Sequence, residues 1–323
     1  MCKVKWGVLG CSSFARSRTI PAMMRAESVD LIGIASRSAE KAEVFKREFL
    51  LSKAYATYES LLEDPDIEAV YIPLPNSLHA QWMIKAMEHG KHVLTEKPFA
   101  VTVEEAEEVS KTAKITGKKC MEAFMWRFNP MHTFGRQIIR DGHIGALHLI
   151  RTSFTFSLSR QPNVRLDSSL AGGSVMDVGC YCIAASRFYF ESEPFSAYAR
   201  GVIDPEYGVD MRMSGLLEFE QGYAEIDSGF QSAGRQDLEL VGEKGRIYIP
   251  AAWTPSEQAI LIVNGVEEKV PLASSYVEEF EHFSKCILTN QNTRYGVDDA
   301  VSQMKVVEAV LRSIHSGLPE KIG

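Results

Sequence analysis

The sequence has no excess of basic residues, no long apolar run and no metal-binding spacing of cysteine and histidine. It contains 35 Lys and Arg against 42 Asp and Glu, which gives a formal net charge of −7 over 323 residues. Nucleic acid binding needs a clustered basic surface, so we expect no nucleic acid partner. The N-terminus lacks the pattern of a secretory signal, and the apolar stretch WGVLG is too short to span a bilayer, so we expect no membrane association.

The cysteines and histidines exclude several further classes. The six cysteines contain no CxxC motif, and the eight histidines form neither HxH nor HExxH. We therefore predict reduced thiols, a cytoplasmic location and no metal site.

The first third of the chain alternates apolar strands with amphipathic helices. VKWGVLG, DLIGIAS, EAVYIPLP and KHVLT indicate buried strands, and SAEKAEVFKREF, SLHAQWMIKAMEHG and TVEEAEEVSKTAKITG indicate helices. This order predicts parallel strands joined by right-handed crossovers. Thr102 and Glu105 have the spacing of a capping box, and Gly90 fits the position just beyond a helix end.

The pattern changes after residue 121. LHLIRTSFTFSL alternates like an antiparallel strand, short strands with glycine turns follow, and two helices close the sequence. We therefore predict an α/β protein with two domains. Residues 1–121 would form the parallel-sheet domain, and residues 122–323 an α+β domain whose mostly antiparallel sheet is covered by helices on one face.

The stretch GVLGCSSFA follows the first predicted strand and is close to a dinucleotide-binding fingerprint. Gly10 and Ala15 take the first and last positions, but Ser12 replaces the middle glycine. The fingerprint allows the backbone to approach a pyrophosphate at a helix N-terminus, and a serine hydroxyl can donate to a phosphate. A tight strand-to-helix turn without a nucleotide is the alternative.

The end of the second strand indicates which dinucleotide is bound. NAD-preferring sites usually place an acid there for the ribose 2′-hydroxyl, whereas this strand ends in Ser36 and Arg37. A hydroxyl and a guanidinium suit a 2′-phosphate, so we predict NADP(H) rather than NAD(H). A solvated surface arginine is the alternative for Arg37. Asn76, after the next buried strand, suits either the nicotinamide ribose or the start of the following helix.

The TEKP motif ends another strand of the same predicted sheet. Lys97 would face the ligand crevice, because carboxyl ends of parallel strands share one edge. Hydride transfer to a ketone leaves an alkoxide, and a lysine with a pKa lowered by burial and nearby positive charge can protonate it. Glu96 would position Lys97, and a cis bond to Pro98 is one way to turn the lysine inward. A surface lysine in an ordinary turn is the alternative.

The stretch LAGGSVMDVGCY supplies a second set of reactive side chains. Asp177 and Tyr181 are four residues apart, so both can project from one face of a helix. Asp177 can accept a hydrogen bond from a substrate hydroxyl, and Tyr181 can donate a proton to a nascent alkoxide.

Together, WGVLGCSSFA, ASRSAEKA, YIPLPNSLH, TEKP and LAGGSVMDVGCY resemble the Gfo/Idh/MocA family of NAD(P)-dependent oxidoreductases. The resemblance implies a Rossmann domain followed by a domain whose large open sheet forms homodimers or homotetramers. It implies that Lys97 is the catalytic lysine and Asp177 the substrate-binding acid. Tyr181 is typical of sugar 3-ketoreductases, xylose and glucose dehydrogenases and dihydrodiol dehydrogenases, whereas many inositol-type members have histidine there.

The resemblance also implies that Arg165 reaches the substrate and that Trp126 and Arg127 border the nicotinamide. Core aromatics at the domain junction are the alternative for EAFMWRF. The predicted substrate site is Arg165, Asp177 and Tyr181, and the catalytic residues are Lys97, Asp177 and Tyr181. The predicted cofactor site consists of Gly10, Cys11, Ser12, Ser13, Phe14, Ala15, Ser36, Arg37, Lys41, Pro73, Leu74, Asn76, His79, Glu96, Lys97, Trp126 and Arg127.

These features predict an NADP(H)-dependent oxidoreductase acting on a secondary alcohol or ketone of a sugar or cyclic polyol. Two alternatives stay open at this point. One is an NAD-dependent inositol-type dehydrogenase, and the other is a non-catalytic regulator of the same fold that binds a dinucleotide or a sugar.

Overall fold

The structure is a computed structural model that describes residues 2–161, 163–254, 259–271 and 273–323. The chain forms two compact units. The first consists of Met1–Phe128 and Ser274–Val301, and the second of Asn129–Ala273 and Ser302–Gly323. The first unit therefore includes a segment from near the end of the sequence.

A parallel sheet forms the centre of the first unit. Its strand order is β3-β2-β1-β4-β5-β6, and neighbouring strands run parallel throughout. The order changes direction between β1 and β4, which is where open parallel sheets bind ligands at the carboxyl ends of their strands. In the described part of the chain, the strands are β1 (Val4–Leu9), β2 (Val29–Ala35), β3 (Lys53–Tyr55), β4 (Ala69–Ile72), β5 (His92–Glu96) and β6 (Cys120–Ala123).

The helices between these strands begin and end largely where the sequence predicts. Thr102 Oγ1 accepts a hydrogen bond from Glu105 N at 3.2 Å, and Glu105 Oε2 accepts one from Val101 N at 2.9 Å. This confirms the predicted cap, although the carboxylate reaches one residue further back than in a standard capping box. Gly90 follows its helix with φ +76°. The helices are α1 (Ile20–Arg25), α2 (Ala39–Phe49), α3 (Tyr58–Leu62), α4 (His79–Glu88) and α5 (Val103–Thr116).

Helix α8 (Ser275–Leu288) completes the core of the first unit. Phe280 and Phe283 lie against Trp6, with ring centroids 5.7 and 5.6 Å apart. Both phenylalanines are fully buried, and each such side chain contributes about 1.5–3 kcal/mol. Glu281 adds a polar contact, because its two carboxylate oxygens accept from N and Oγ of Ser28, each at 2.7 Å.

The second unit is built on a mixed sheet of ten strands among the described residues. The order is β15-β14-β13-β12-β7-β10-β9-β8-β16, with β11 beside β7. Strands β7 and β10 pair in parallel, and the other pairs are antiparallel. The strands are β7 (Leu147–Ser157), β8 (Ser196–Ile203), β9 (Asp210–Phe219), β10 (Gly222–Gly229), β11 (Gln231–Arg235), β12 (Leu238–Gly242), β13 (Gly245–Ile249), β14 (Ala259–Val263), β15 (Val266–Val270) and β16 (Glu320–Lys321).

Helices cover one face of this second sheet. Helix α6 (Pro130–Arg140) packs on β14 and β15, and α7 (Cys180–Phe190) packs on β7 and β10. The C-terminal part of α9 (Val297–Ser316) lies beside β8, where Ser313 Oγ accepts from Ala199 N at 2.8 Å. Along β8, Ala197 and Ala199 are buried while Tyr198 and Arg200 are exposed, so the other face is open.

This architecture confirms the predicted fold class, a parallel-sheet unit plus a large mostly antiparallel sheet. Among the residues that the structure describes, no helix has both the length and the apolar character needed to cross a membrane.

Candidate active site

The turn after β1 lies close to the turn after β4. Gly10 has φ +120°, and a Cβ there would lie 2.9 Å from Leu74 Cδ2 and 3.7 Å from the carbonyl oxygen of Pro73. Glycine is therefore required, and without a side chain the backbone at this turn can be approached closely. Ser12 Oγ accepts from Ala15 N at 3.0 Å, where the π-helical turn that leads into α1 begins. Its hydroxyl hydrogen can still be donated to a phosphate.

Cys11 faces inward from the same turn. Its thiol lies 4.0 Å from the carbonyl oxygen of Ala35. Burial raises the pKa of Cys11 to about 11, and this outweighs the lowering effect of Ser36 and Lys41. The thiol thus stays protonated near neutral pH and serves as a small packed side chain. The two remaining residues of the turn, Ser13 and Phe14, are exposed.

The end of β2 carries the residues predicted to select the dinucleotide. The Ser36 hydroxyl accepts from Ser38 N at 3.2 Å, and Ser38 Oγ caps α2 by accepting from Lys41 N at 3.3 Å. Arg37 and Lys41 are exposed on either side of this cap. Two cations at a helix N-terminus favour an anion, so this group of residues fits a 2′-phosphate.

The turn after β4 is tied to the turn after β5 by His79. Its ring nitrogens lie 2.7 Å from the carbonyl oxygen of Pro98 and 2.8 Å from that of Leu74. Burial lowers the pKa of His79, opposed by the two carbonyl oxygens and assisted by the Lys97 ammonium. The side chain is 0% exposed, so in this structure it holds the two turns together. Asn76 is half-buried at the first position of the short 3₁₀ turn before α4.

The TEKP motif forms the end of β5. The peptide bond between Lys97 and Pro98 is cis, and the Lys97 side chain is half-buried. Glu96 Oε1 accepts from Tyr71 Oη at 2.5 Å, which fixes the carboxylate next to the lysine in the chain. Glu96 and Lys97 therefore lie at the same sheet edge as the turns that follow β1, β2 and β4.

Buried carboxyl groups lie behind this motif. Glu122 on β6 accepts from Phe99 N at 2.8 Å. Glu279 on α8 is 1% exposed, and among the described residues its Oε1 has no hydrogen-bond partner. Burial, reinforced by the carboxylates of Glu96 and Glu122, raises the pKa of Glu279 well above its ordinary value. The neutral form of this acid is therefore favoured in the folded protein.

The MWRF segment belongs to the core of the first unit. Trp126 is fully buried, and Arg127 is 3% exposed. The Arg127 guanidinium forms an ion pair with Asp299 at 2.5 Å and lies 5.2 and 4.6 Å from the ring centroids of Phe124 and Tyr295. These contacts hold the arginine in one orientation.

The second unit brings together the residues predicted to bind substrate. Asp177 lies in a π-helical turn (Val175–Gly179) that continues into α7, and Tyr181 is the second residue of α7. Arg165 Nε donates to Asp177 Oδ2 at 2.5 Å, and its guanidinium lies 5.9 Å from the ring centroid of Phe156. The structure thus joins Arg165 to Asp177 directly and places Tyr181 four residues further along the same helical segment.

The double glycine before Asp177 is explained by close contacts. A Cβ on Gly173, where φ is +113°, would lie 2.2 Å from Asp210 Oδ1, and one on Gly172 would lie 2.4 Å from a backbone carbonyl oxygen. Asp210 Oδ2 accepts from Ser174 Oγ at 2.6 Å and from Val175 N at 2.8 Å. Burial raises the pKa of Asp210 to about 6 against these hydrogen bonds. The sequence carries no local signal for this acid, which comes from β9.

Tyr181 lies among aromatic rings that the sequence analysis did not single out. Phe154 on β7 meets its ring edge-on at 5.2 Å, and Trp253 meets it at 5.7 Å. Tyr181 is 9% exposed. In the described ranges, no group of three or more His, Cys, Asp or Glu side chains is arranged to hold a metal ion.

Comparison with known proteins then decides the family. Residues 4–124 match the family model GFO_IDH_MocA, described as an oxidoreductase family with an NAD-binding Rossmann fold, and residues 134–248 match the GFO/IDH/MocA C-terminal domain. The chain belongs to the GFO/IDH/MocA oxidoreductase family. This confirms the resemblance inferred from the motifs and the prediction of an oxidoreductase.

Relatives across this family are similar over most of their length. D-xylose 1-dehydrogenase (NADP(+)) 2 of Haloferax volcanii is 34% identical over 97% of this chain and 98% of the relative. The dTDP-3,4-didehydro-2,6-dideoxy-alpha-D-glucose 3-reductase of Saccharopolyspora spinosa is 35% identical over 83% of this chain and 82% of the relative.

Two solved structures superimpose closely on this chain. The 3-ketoreductase KijD10 from Actinomadura kijaniata, in complex with NADP and TDP-benzene, superimposes with a TM-score of 0.91 at 27% identity, over 96% of this chain and 98% of that one. The aldose-aldose oxidoreductase from Caulobacter crescentus has a TM-score of 0.91 at 27% identity, and 99% of each chain is covered.

Proposed function

We propose that this protein is an NADP(H)-dependent oxidoreductase that interconverts a secondary alcohol and a ketone on a sugar or related cyclic polyol. One observation carries the proposal: Ser36, Arg37 and Lys41 surround the N-terminus of α2 at the same sheet edge as Lys97. The NADP-linked xylose dehydrogenase and the NADP complex of KijD10 support the choice of cofactor and of a sugar-like substrate.

The residues of the first unit would hold the cofactor, which supplies or accepts the hydride when bound. The turn at Gly10 and the Ser12 hydroxyl would hold the pyrophosphate, because this turn leads into the start of a helix. Arg37 and Lys41 would hold the 2′-phosphate by charge-assisted hydrogen bonds.

The proton chemistry belongs to this chain's own side chains. Lys97 carries a proton on Nζ and releases it to the alkoxide oxygen as a ketone is reduced. Tyr181 Oη polarises that oxygen and can exchange a proton with it. Asp177 accepts a hydrogen bond from a neighbouring hydroxyl of the substrate, and Arg165 orients the Asp177 carboxylate.

Replacement of the lysine tests this function. The protein is incubated with NADP+ and a panel of aldoses, inositols and diols while the absorbance of the reduced cofactor is followed. We expect turnover with the wild type and a loss of about 10²–10⁴-fold in Lys97→Ala, with NADPH binding retained. Lys111→Ala, which removes an exposed lysine of α5, is the matched control and should keep full turnover.

Different outcomes would favour the alternatives. Normal turnover of Lys97→Ala would refute the role of the lysine. Tight NADPH binding without turnover on any substrate would favour a non-catalytic regulator. Tighter binding of NADH than of NADPH, with activity on inositols, would favour an inositol-type dehydrogenase.

The proposal includes a homodimer or homotetramer formed through the open sheet face. Tyr198, Val202 and Tyr223 are 39%, 43% and 50% exposed there, and exposed apolar patches mark protein–protein interaction sites. Light scattering of the purified protein should give a mass of two or four chains, and Tyr223→Glu should lower it. A single-chain mass at micromolar concentration would contradict this.

A cytoplasmic location is supported by six cysteines that form no disulfide in the described structure.

A further inference from the structure

Three rings of the second unit form an aromatic column, defined here as His132, Trp253 and Phe154. His132 on α6 stacks on Trp253 with a centroid distance of 6.3 Å and an angle of 13°. Trp253 stacks in turn on Phe154 with a centroid distance of 6.1 Å and an angle of 20°. Two members, Phe154 and Trp253, contact the ring of Tyr181 at interplanar angles of 83° and 63°. Tyr181 is therefore held by edges and faces of rings from two directions.

Hydrogen bonds fix the aromatic column itself. His132 is fully buried, and burial lowers its pKa to about 4, so the ring is neutral. Its Nε2 lies 2.8 Å from the carbonyl oxygen of Ala252, which can only accept, so this nitrogen carries the hydrogen. Nδ1 then accepts from Tyr189 Oη at 2.9 Å. Trp253 Nε1 donates to the carbonyl oxygen of Ser153 at 3.1 Å, and this bond fixes the orientation of the indole.

The column therefore does more than fill space. Every polar atom of the His132 and Trp253 rings has a partner with a defined direction, so these rings hold one orientation. A tyrosine ring turns about only two torsions, and edge-to-face contacts with Phe154 and with the fixed ring of Trp253 restrict both. The position of the aromatic column therefore determines the direction in which the Tyr181 hydroxyl points.

We infer that Trp253, oriented by His132, is a positioning residue that sets the direction of the Tyr181 hydroxyl. This rests on the proposed function, in which that hydroxyl acts on the substrate oxygen. The column contributes through its contacts with the Tyr181 ring. It acts through Tyr181 alone, so its removal should matter only while the hydroxyl is present.

A double-mutant cycle with Tyr181→Phe tests this dependence. In the otherwise natural protein, Trp253→Leu should lower kcat by about 10–100-fold with NADPH affinity unchanged, because an ångström-scale misplacement of a reacting group costs about that much. In the Tyr181→Phe background the same change should cost about 3-fold or less, because residues that act as one unit are not additive. Equal losses in both backgrounds would overturn the inference.

A crystal structure of Trp253→Leu gives a readout that does not depend on turnover. The Tyr181 ring should leave the side-chain torsions that it adopts here, and an unchanged ring would overturn the inference. Trp253→Phe serves if the leucine variant does not fold: it keeps a stacked ring but loses the bond to Ser153, and we expect a kcat loss of about 3-fold that again disappears with Tyr181→Phe.

A matched control separates positioning from general loss of packing. Phe190→Leu removes a buried ring at the far end of α7, where Phe190 packs on Phe219 with centroids 4.5 Å apart. It should lower the melting temperature while its effect on kcat stays small and equal in both backgrounds. If the natural protein shows no turnover, the proposed function itself fails. If it turns over and the cycle is additive, only the role of Trp253 fails.

Discussion

Replacement of Gly173 by alanine is the sharpest test of the substrate-side geometry. The residue has φ +113°, a region that residues with a Cβ rarely adopt, and a Cβ there would lie 2.2 Å from Asp210 Oδ1. The backbone conformation costs about 1–3 kcal/mol for a non-glycine residue. The clash adds to this, because Asp210 must move away from Ser174 and Val175, and a hydrogen bond to a charged group is worth about 1.5–3 kcal/mol.

The carboxylate can shift without losing both bonds, so we expect a loss of about 3–4 kcal/mol in the free energy of unfolding. Urea unfolding followed by tryptophan fluorescence measures it, since Trp253 reports on the same unit. Gly117→Ala is the control, because Gly117 has φ +67° with nothing within 4 Å of an added Cβ. That variant bears only the backbone cost. Equal shifts of the two unfolding midpoints would refute the reasoning.

Three further predictions concern charge. Arg37→Ala should weaken NADPH binding about 10–100-fold but leave NADH binding nearly unchanged in calorimetry, because the guanidinium serves the 2′-phosphate; equal weakening of both contradicts this. Glu279 has a folded-state pKa raised above its ordinary 4.5, so the folded protein loses stability as pH rises from 4.5 through the folded pKa. Glu279→Gln should remove this fall of the melting temperature with pH, and an unchanged fall contradicts the prediction. Asp177→Asn should lower kcat/KM about 100-fold at unchanged NADPH affinity, and normal kcat/KM would exclude its role.

Local patterns were enough to predict much of the first unit. Alternation of strands and helices, the cap at Thr102 and the position of Gly90 depend on neighbours within a few residues, and each is confirmed. The carboxyl ends of parallel strands lie at one edge of a sheet, so strand direction alone was enough to predict that Ser36 and Lys97 share that edge.

Contacts between distant parts of the chain were beyond such patterns. The stretch YVEEFEHFSKCILTN shows an amphipathic helix, but nothing in its period tells that Phe280 and Phe283 bury Trp6. In the same way, Trp253 follows a strand-rich region with no motif, and only the fold brings it to Tyr181. His79 and Arg127 were predicted to contact the cofactor, and in the structure both make contacts with other parts of the protein. Their partners Leu74, Pro98 and Asp299 come from the tertiary structure.

The return of α8 to the first unit has a consequence for biosynthesis. Phe280 and Phe283 are synthesised only after most of the second unit. Until then, the rings of Trp6 and Tyr71 in the nascent parallel sheet lack the helix that buries them. An N-terminal fragment ending at Phe128 would keep those aromatic groups in water permanently. Such a fragment should bind chaperones and precipitate, and adding the α8 peptide in trans should rescue its solubility.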